Sequence, residues 1–265
     1  MISLASIWAV ALRHIRILLQ GELNLALFLL YWPVLDILIW GFLGSWIQQA
    51  QAAQLPNYTT AALLGILLWQ VVGRGSNIMV TSFSEEIWSN SVVTLFSLPL
   101  RTIEWMVGIV LFYIIMQIIT TITCMLVMLM LYEVSLSYVL STFLTFLPPL
   151  IFSSIWIGFT SLQIIVTLGR RGAELGQVIA WFLLPFTGAY YPIEVLPHWG
   201  QVISKFLPMS YVFQGMRGYV MYQQDPTPYL IKGYLLSIPY AICALLLFVY
   251  CFNRSKRQGL ARLAD

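Results

Sequence analysis

The stretch GAYYPIEVLPHWGQVISKFLPMSYVFQGMRGYV, Gly188 to Val220, decides how the rest of the chain is read. It is too apolar for a solvated loop and too interrupted to cross a bilayer. Pro192, Pro197 and Pro208 divide it into pieces of about 10 to 14 residues, the length of interfacial or re-entrant segments, whereas a crossing helix needs about 20. Long apolar runs lie on both sides of it, so a broken segment is held between spanning ones.

Composition agrees. The 265 residues are 60% hydrophobic and 9% charged, with mean hydropathy +0.86; soluble proteins carry about 25% charged residues. The chain is therefore read as an all-α integral membrane protein. Cys124, Cys243 and Cys251 all lie in apolar runs without paired spacing, so no disulfide or metal framework is implied. Nothing points to a nucleic-acid partner. The first 20 residues do not fit a cleaved signal, because Arg13 and Arg16 follow the apolar stretch instead of preceding it.

Working outward, residues 1–22 read as an amphipathic helix lying in the membrane surface. Ser3, Ser6, Arg13, Arg16 and Gln20 share one side, and Leu4, Ile7, Trp8, Ala11, Leu12, Ile15, Leu18 and Leu19 the other. Six crossings are then expected: Asn24 to Trp46, with Pro33 and a mid-membrane Asp36; Thr59 to Val80; Ile103 to Tyr132; Tyr138 to Leu168, broken or bent at Pro148-Pro149; a shorter one from Glu174 to Ala189; and Lys232 to Phe252. Residues 188–222 become an outer re-entrant helical hairpin between the fifth and sixth. Ten of the thirteen Lys and Arg fall on one side of this scheme, which places both termini in the cytoplasm. One membrane domain, 1–265, accounts for the whole chain.

The cytoplasmic connection between crossings two and three, residues 82–100, reads SFSEEIWSNSVVTLFSLPL. Ser84 followed by Glu85 and Glu86 has the form of an N-cap with acidic residues in the first turn. Ile87, Trp88, Val92, Leu95 and Phe96 recur at helical spacing until Pro99. A short amphipathic helix presenting carboxylates and an aromatic suits docking to another protein; an ordinary interfacial connector is the alternative.

SEEIWSNSVVTLFSLPLRTIEWMVGIVL resembles the coupling-helix segment of the type-2 ABC exporter membrane domains. Gly188, Tyr191-Pro192, Leu196-Pro197, Trp199, Leu207-Pro208 and Arg217 resemble the outer segment of the same family. The order and spacing of the two segments cover nearly the full length, with Ser89-Asn90-Ser91 departing from the glycine common at that turn. The resemblance implies a permease subunit in the inner (plasma) membrane. It would pair with a second copy or a close paralogue, surrounded by lipid, and be driven by a separate ATPase subunit. ATP and magnesium would belong to that partner, since this chain has no G-x-x-x-x-G-K-[ST] phosphate loop. Glu85, Glu86, Trp88 and Leu95 would dock into the ATPase with the helix of Arg13 and Arg16 beside them, and Tyr191, Pro192, Pro197, Pro208 and Arg217 would form an outer gate. The substrate would be a lipid-linked glycan or polysaccharide, or a lipophilic drug-like compound.

Asp36 is a functional candidate in its own right, since a lone carboxylate at mid-membrane costs about 2.5 to 3.5 kcal/mol. Arg74, on the second crossing, is its expected partner. Glu104, Glu174, Arg170 and Arg171 read as boundary residues, and Glu133 and Glu194 as residues of the outer interface. The outer tyrosines and tryptophans fit an interfacial aromatic belt better than a sugar-stacking surface. A secondary transporter or a channel-like membrane protein without an ATPase partner is the alternative function, although no inverted repeat is visible. An intramembrane protease lacks its residues: His14 and His198 are the only histidines, and neither lies in an expected crossing.

Overall fold

The structure is a computed structural model, and it describes residues 3–20, 31–50, 57–89, 91–132 and 134–259. In chain order the helices are α1 (Leu4–Gln20), α2 (Trp32–Ala50), α3 (Tyr58–Trp88), α4 (Val92–Ser97), α5 (Thr102–Leu131), α6 (Leu136–Leu168), α7 (Arg170–Leu183), α8 (His198–Phe206), α9 (Pro208–Tyr222) and α10 (Thr227–Gln258). Two 3₁₀ turns, Leu184–Phe186 and Ile193–Val195, lie between α7 and α8. The described residues contain no strand.

α3 is the central helix. Its most apolar 18-residue window is 89% buried inside the chain, against 33% for α5 and 28% for α10. α2, α5, α6, α7 and α9 all pack on it. Two apolar cores stack along its length. Leu63 to Val72 meet Phe146 and the α9 side chains Met209, Val212, Phe213 and Met216, while Ile78 to Ile87 meet Val10, Trp105, Phe248 and Phe252. A helix apolar on every side is the form that fits such a position.

Four helices among the described residues, α3, α5, α6 and α10, are long and apolar enough to cross a membrane. They answer to the expected crossings two, three, four and six. The expected first crossing is represented by α2, whose 19 residues begin at Trp32; its start at Asn24 lies outside the described residues. α7, in the place of the fifth, has 14 residues and begins four residues earlier than expected, at Arg170. At about 1.5 Å per residue α7 falls short of the roughly 30 Å hydrocarbon core.

One local expectation is overturned. Ser84 does not cap a new helix: α3 runs on to Trp88, so Ser84, Glu85 and Glu86 occupy its last turns, and the separate short helix, α4, begins at Val92. No Gly or Pro separates Ser76 from Ile87, and the burial of Phe83 and Ile87 in the second core carries the helix through a sequence that locally resembles a start. Of the break or bend expected at Pro148-Pro149, the break does not occur: α6 is continuous from Leu136 to Leu168. The pair lies near the middle of α6, a helix that packs along both α3 and α10.

The opening stretch folds as its prolines divide it. α8 and α9 meet at Leu207-Pro208, with Pro208 in the first turn of α9, where its missing amide is harmless. α9 is inside the bundle, with Met209, Val212, Phe213, Met216 and Val220 fully buried, whereas α8 leaves Trp199 and Phe206 exposed. Ser204 and Ser210 both donate to the Phe186 carbonyl, at 2.6 and 3.1 Å, tying the hairpin to the end of α7.

Candidate functional site

Three groups of residues are brought together along the bundle. The first is the junction of α1, the end of α3, α4 and the start of α5. α1 lays Ile7, Val10, Ala11 and His14 against α5, where Gly108 leaves no room for a Cβ: one there would meet Val10 at 2.7 Å. This orients Arg13 toward the end of α3, where its guanidinium takes both oxygens of Glu86, Nη2 to Oε2 at 2.8 Å and Nη1 to Oε1. Ser91 donates to the same carboxylate. Glu86 is buried; Glu85 and Trp88, one turn apart, are exposed. Of the four expected docking residues, then, Glu85 and Trp88 face outward, while Glu86 and Leu95 pack inward.

His14 and Glu104 complete this junction. Glu104 accepts from the backbone N–H of Ser3 at 2.8 Å and of Arg101 at 3.0 Å, joining the first turn of α1 to the start of α5. It is buried and does more than mark a boundary. His14 is buried beside the Phe112 ring, with both ring nitrogens lacking a hydrogen-bond partner and Nε2 4.0 Å from Glu86. Burial lowers its pKa to about 4, with the Arg13 charge acting in the same direction and Glu86 opposing. Lys256, near the end of α10, lies over the Phe96 ring at 4.6 Å and holds α4 from the other side. Arg16 carries its charge on the exposed side of α1.

The second group is mid-bundle. Asp36 on α2 and Arg74 on α3 are joined through Gln70, which donates to Asp36 Oδ2 at 2.7 Å and accepts from Arg74 Nε at 2.7 Å. Gln70, missed in the sequence, is one helical turn before Arg74, the spacing at which side chains on a helix meet. The three residues border a cavity of 440 Å³ whose other walls include Trp32, Trp69, Asn77 and Trp181. Indole rings thus enclose a chain of polar groups, the combination that binding sites use to hold and orient a ligand. None of the three tryptophans was a sequence candidate, because they come from α2, α3 and α7, elements that only the fold brings together.

The third group is the end of the bundle where α3 and α10 begin. Gly188 adopts φ +71°, and a Cβ there would meet Ile193 at 2.8 Å. Its carbonyl accepts from Arg217 Nη2 at 2.6 Å, so the last residue of the outer-segment resemblance reaches back to the first. Burial lowers the Arg217 pKa from its ordinary value, with the phenols and Glu194 opposing. Trp40 stacks on Tyr190 at 4.4 Å. Tyr191 donates to the Pro185 carbonyl at 2.9 Å, and Pro192 and Pro197 flank the Ile193–Val195 turn.

No curated protein matches the chain. A family model does, that of the ABC-2 type transporter, over residues 6–221, which runs from the first turns of α1 to the end of α9 and leaves α10 beyond the match. The resemblance carried by the connector and the opening stretch is thereby shown over most of the chain, which belongs to the ABC-2 type transporter family as a membrane-spanning permease component of an ABC transporter.

Proposed function

We propose that this permease forms the path for an amphiphilic substrate and is driven by an ATPase carried on a separate chain. The observation that carries the reading is the 440 Å³ cavity, in which Trp32, Trp69 and Trp181 surround the Asp36–Gln70–Arg74 chain. The cavity sets polar groups and indole faces around one space, so a lipid-linked glycan, with hydroxyls for the polar groups and ring faces for the indoles, fits better than a lipophilic drug. Trp32 and Trp181 are also half exposed on the outside of the single chain. A second copy or close paralogue set against α2 and α7 would complete the wall.

In this reading one membrane domain spans 1–265 with six crossings, α2 serving as the first and α7 extended by the Leu184–Phe186 turn as the fifth, in the inner membrane with both termini cytoplasmic. The hairpin of α8 and α9 forms the outer gate. ATP and magnesium are held by the partner, which meets Glu85 and Trp88. Motion of the connector reaches α1 through Arg13 and Glu86, and reaches the cavity along α3, since Arg74 and Glu86 stand on one continuous helix. Affinity purification in mild detergent tests the reading: the chain should bring an ATPase subunit with it, and reconstituted transport should require ATP. Transport by this chain alone would overturn it in favour of a secondary transporter.

A further inference from the structure

A second cavity, of 290 Å³, opens at the end of the bundle where α3 and α10 begin, and Tyr58, Glu194, Gln214, Arg217, Tyr222 and Tyr229 line it. It is separate from the mid-bundle cavity and shares none of its lining residues. Its chemistry is divided. Arg217 supplies a guanidinium held in place by the Gly188 carbonyl at 2.6 Å, and Glu194 supplies an exposed carboxylate on the Ile193–Val195 turn. No ion pair within 4.0 Å joins the two, although both border the same space. Three phenol rings stand with them.

A ligand with one charge would answer only one of these groups. An anion would meet Arg217 but also face Glu194, and a cation would meet the reverse. A ligand with a phosphate and an ammonium a few bonds apart answers both. The phosphate takes the forked donors of the guanidinium, and the ammonium takes the carboxylate and the faces of the phenols. The location suits such a headgroup as well: exposed Tyr222 and half-buried Tyr58 and Tyr229 stand where membrane helices begin, the level at which tyrosines meet lipid headgroups. We propose that this cavity is a binding site for a phosphate–ammonium zwitterion of the phosphatidylethanolamine type. Occupancy ties the Ile193–Val195 turn to α9 across the cavity and so bears on the outer hairpin. The assignment does not depend on the ATPase or on the transported substrate.

Calorimetric titration of the purified full-length chain in detergent micelles tests it. The probes are dihexanoyl-phosphatidylethanolamine and dihexanoyl-phosphatidylglycerol, which share the phosphate and differ in the ammonium. The ethanolamine lipid should bind saturably and at least about tenfold more tightly, the size of one charge-assisted contact. Glu194→Gln, on an exposed side chain whose loss spares the fold, should weaken the ethanolamine lipid by about tenfold and erase its preference over the glycerol lipid. Arg217→Lys, which keeps the charge but loses the fork, should weaken both lipids. Glycerophosphoethanolamine separates the sources. Binding as tight as the lipid assigns the site to the soluble zwitterion, and binding at least about tenfold weaker assigns it to membrane lipid; both outcomes support the shared chemistry. Equal affinity for the two lipids in the wild type, or an unchanged affinity in Glu194→Gln, overturns the proposal.

Discussion

Arg13 and Glu86, separated by 73 positions in the chain, form a two-pronged ion pair that fastens the N-terminal helix α1 to the last turn of the central helix α3. The partners are unequally placed: the Arg13 side chain is 37% exposed and that of Glu86 2%. Water can take over the guanidinium if the pair is broken, but it cannot reach the carboxylate.

That asymmetry sets the first prediction. Arg13→Ala leaves a buried carboxylate with Ser91 and His14 as its remaining neighbours, whereas Glu86→Gln leaves a guanidinium that can turn to solvent. Losing a partner from a fully buried pair costs about 3 to 5 kcal/mol; the exposure of Arg13 reduces this to about 1 to 3 kcal/mol. Thermal unfolding of the detergent-solubilised chain should therefore show Arg13→Ala lower than Glu86→Gln. The double variant Arg13→Ala/Glu86→Gln should recover part of the loss.

How far the sequence could be read follows from the distance over which each feature is decided. α1 was legible because its polar and apolar sides alternate within one helix, and α8 and α9 because Pro197 and Pro208 mark their starts locally. The extension of α3 past Ser84 was not legible. Ser-Glu-Glu reads as a helix start unless Phe83 and Ile87 are known to be buried against Trp105 and Phe252, which lie far along the chain. Asp36 and Arg74 were found by their charge, but the link between them, Gln70, is neutral, and the indole walls come from three helices. The inward turn of Glu86 was hidden for the same reason: alternate exposure of Glu85 and Glu86 depends on what α1 covers.

His14 gives the second prediction, in pH. Its pKa in the folded chain is about 4, while an unfolded histidine titrates near 6.5. Between these values the unfolded chain binds the extra proton, so the contribution of neutral His14 is complete above about pH 6.5 and is lost as pH falls toward 4. The slope attributable to this residue approaches about 1.4 kcal/mol per pH unit inside that window. Comparing the unfolding midpoint of the wild type with that of His14→Phe from pH 7 to 4.5 should show a smaller decline in the variant. Parallel declines would mean that other groups dominate.

The third prediction separates docking from folding at the connector. Glu85 and Trp88 are exposed and make up one outward face, so Glu85→Ala/Trp88→Ala should leave expression and thermal unfolding within about 0.5 kcal/mol of the wild type. The same variant should lose most of its associated ATPase in pull-down and most of its ATP-dependent transport. Retention of the ATPase would move the docking surface elsewhere, to the exposed side of α1 around Arg16 or to Val93 on α4 and Leu98 just after it.

The fourth prediction concerns the mid-bundle cavity and uses two substitutions of opposite kind. Trp181 is half exposed on α7 and forms one wall, so Trp181→Ala should fold normally and reduce ATP-dependent transport by about tenfold if a ring stacks there, equivalent to about 1.4 kcal/mol. Gln70 is buried and joins Asp36 to Arg74, so Gln70→Leu removes the joint while preserving bulk. Losing a buried partner of two charged groups costs about 1 to 3 kcal/mol, which should appear both in unfolding and in transport. The contrast is the informative measurement. A ligand-contact wall lowers transport without lowering stability, a structural joint lowers the two together, and a Trp181→Ala chain that transports at the wild-type rate would remove α7 from the path.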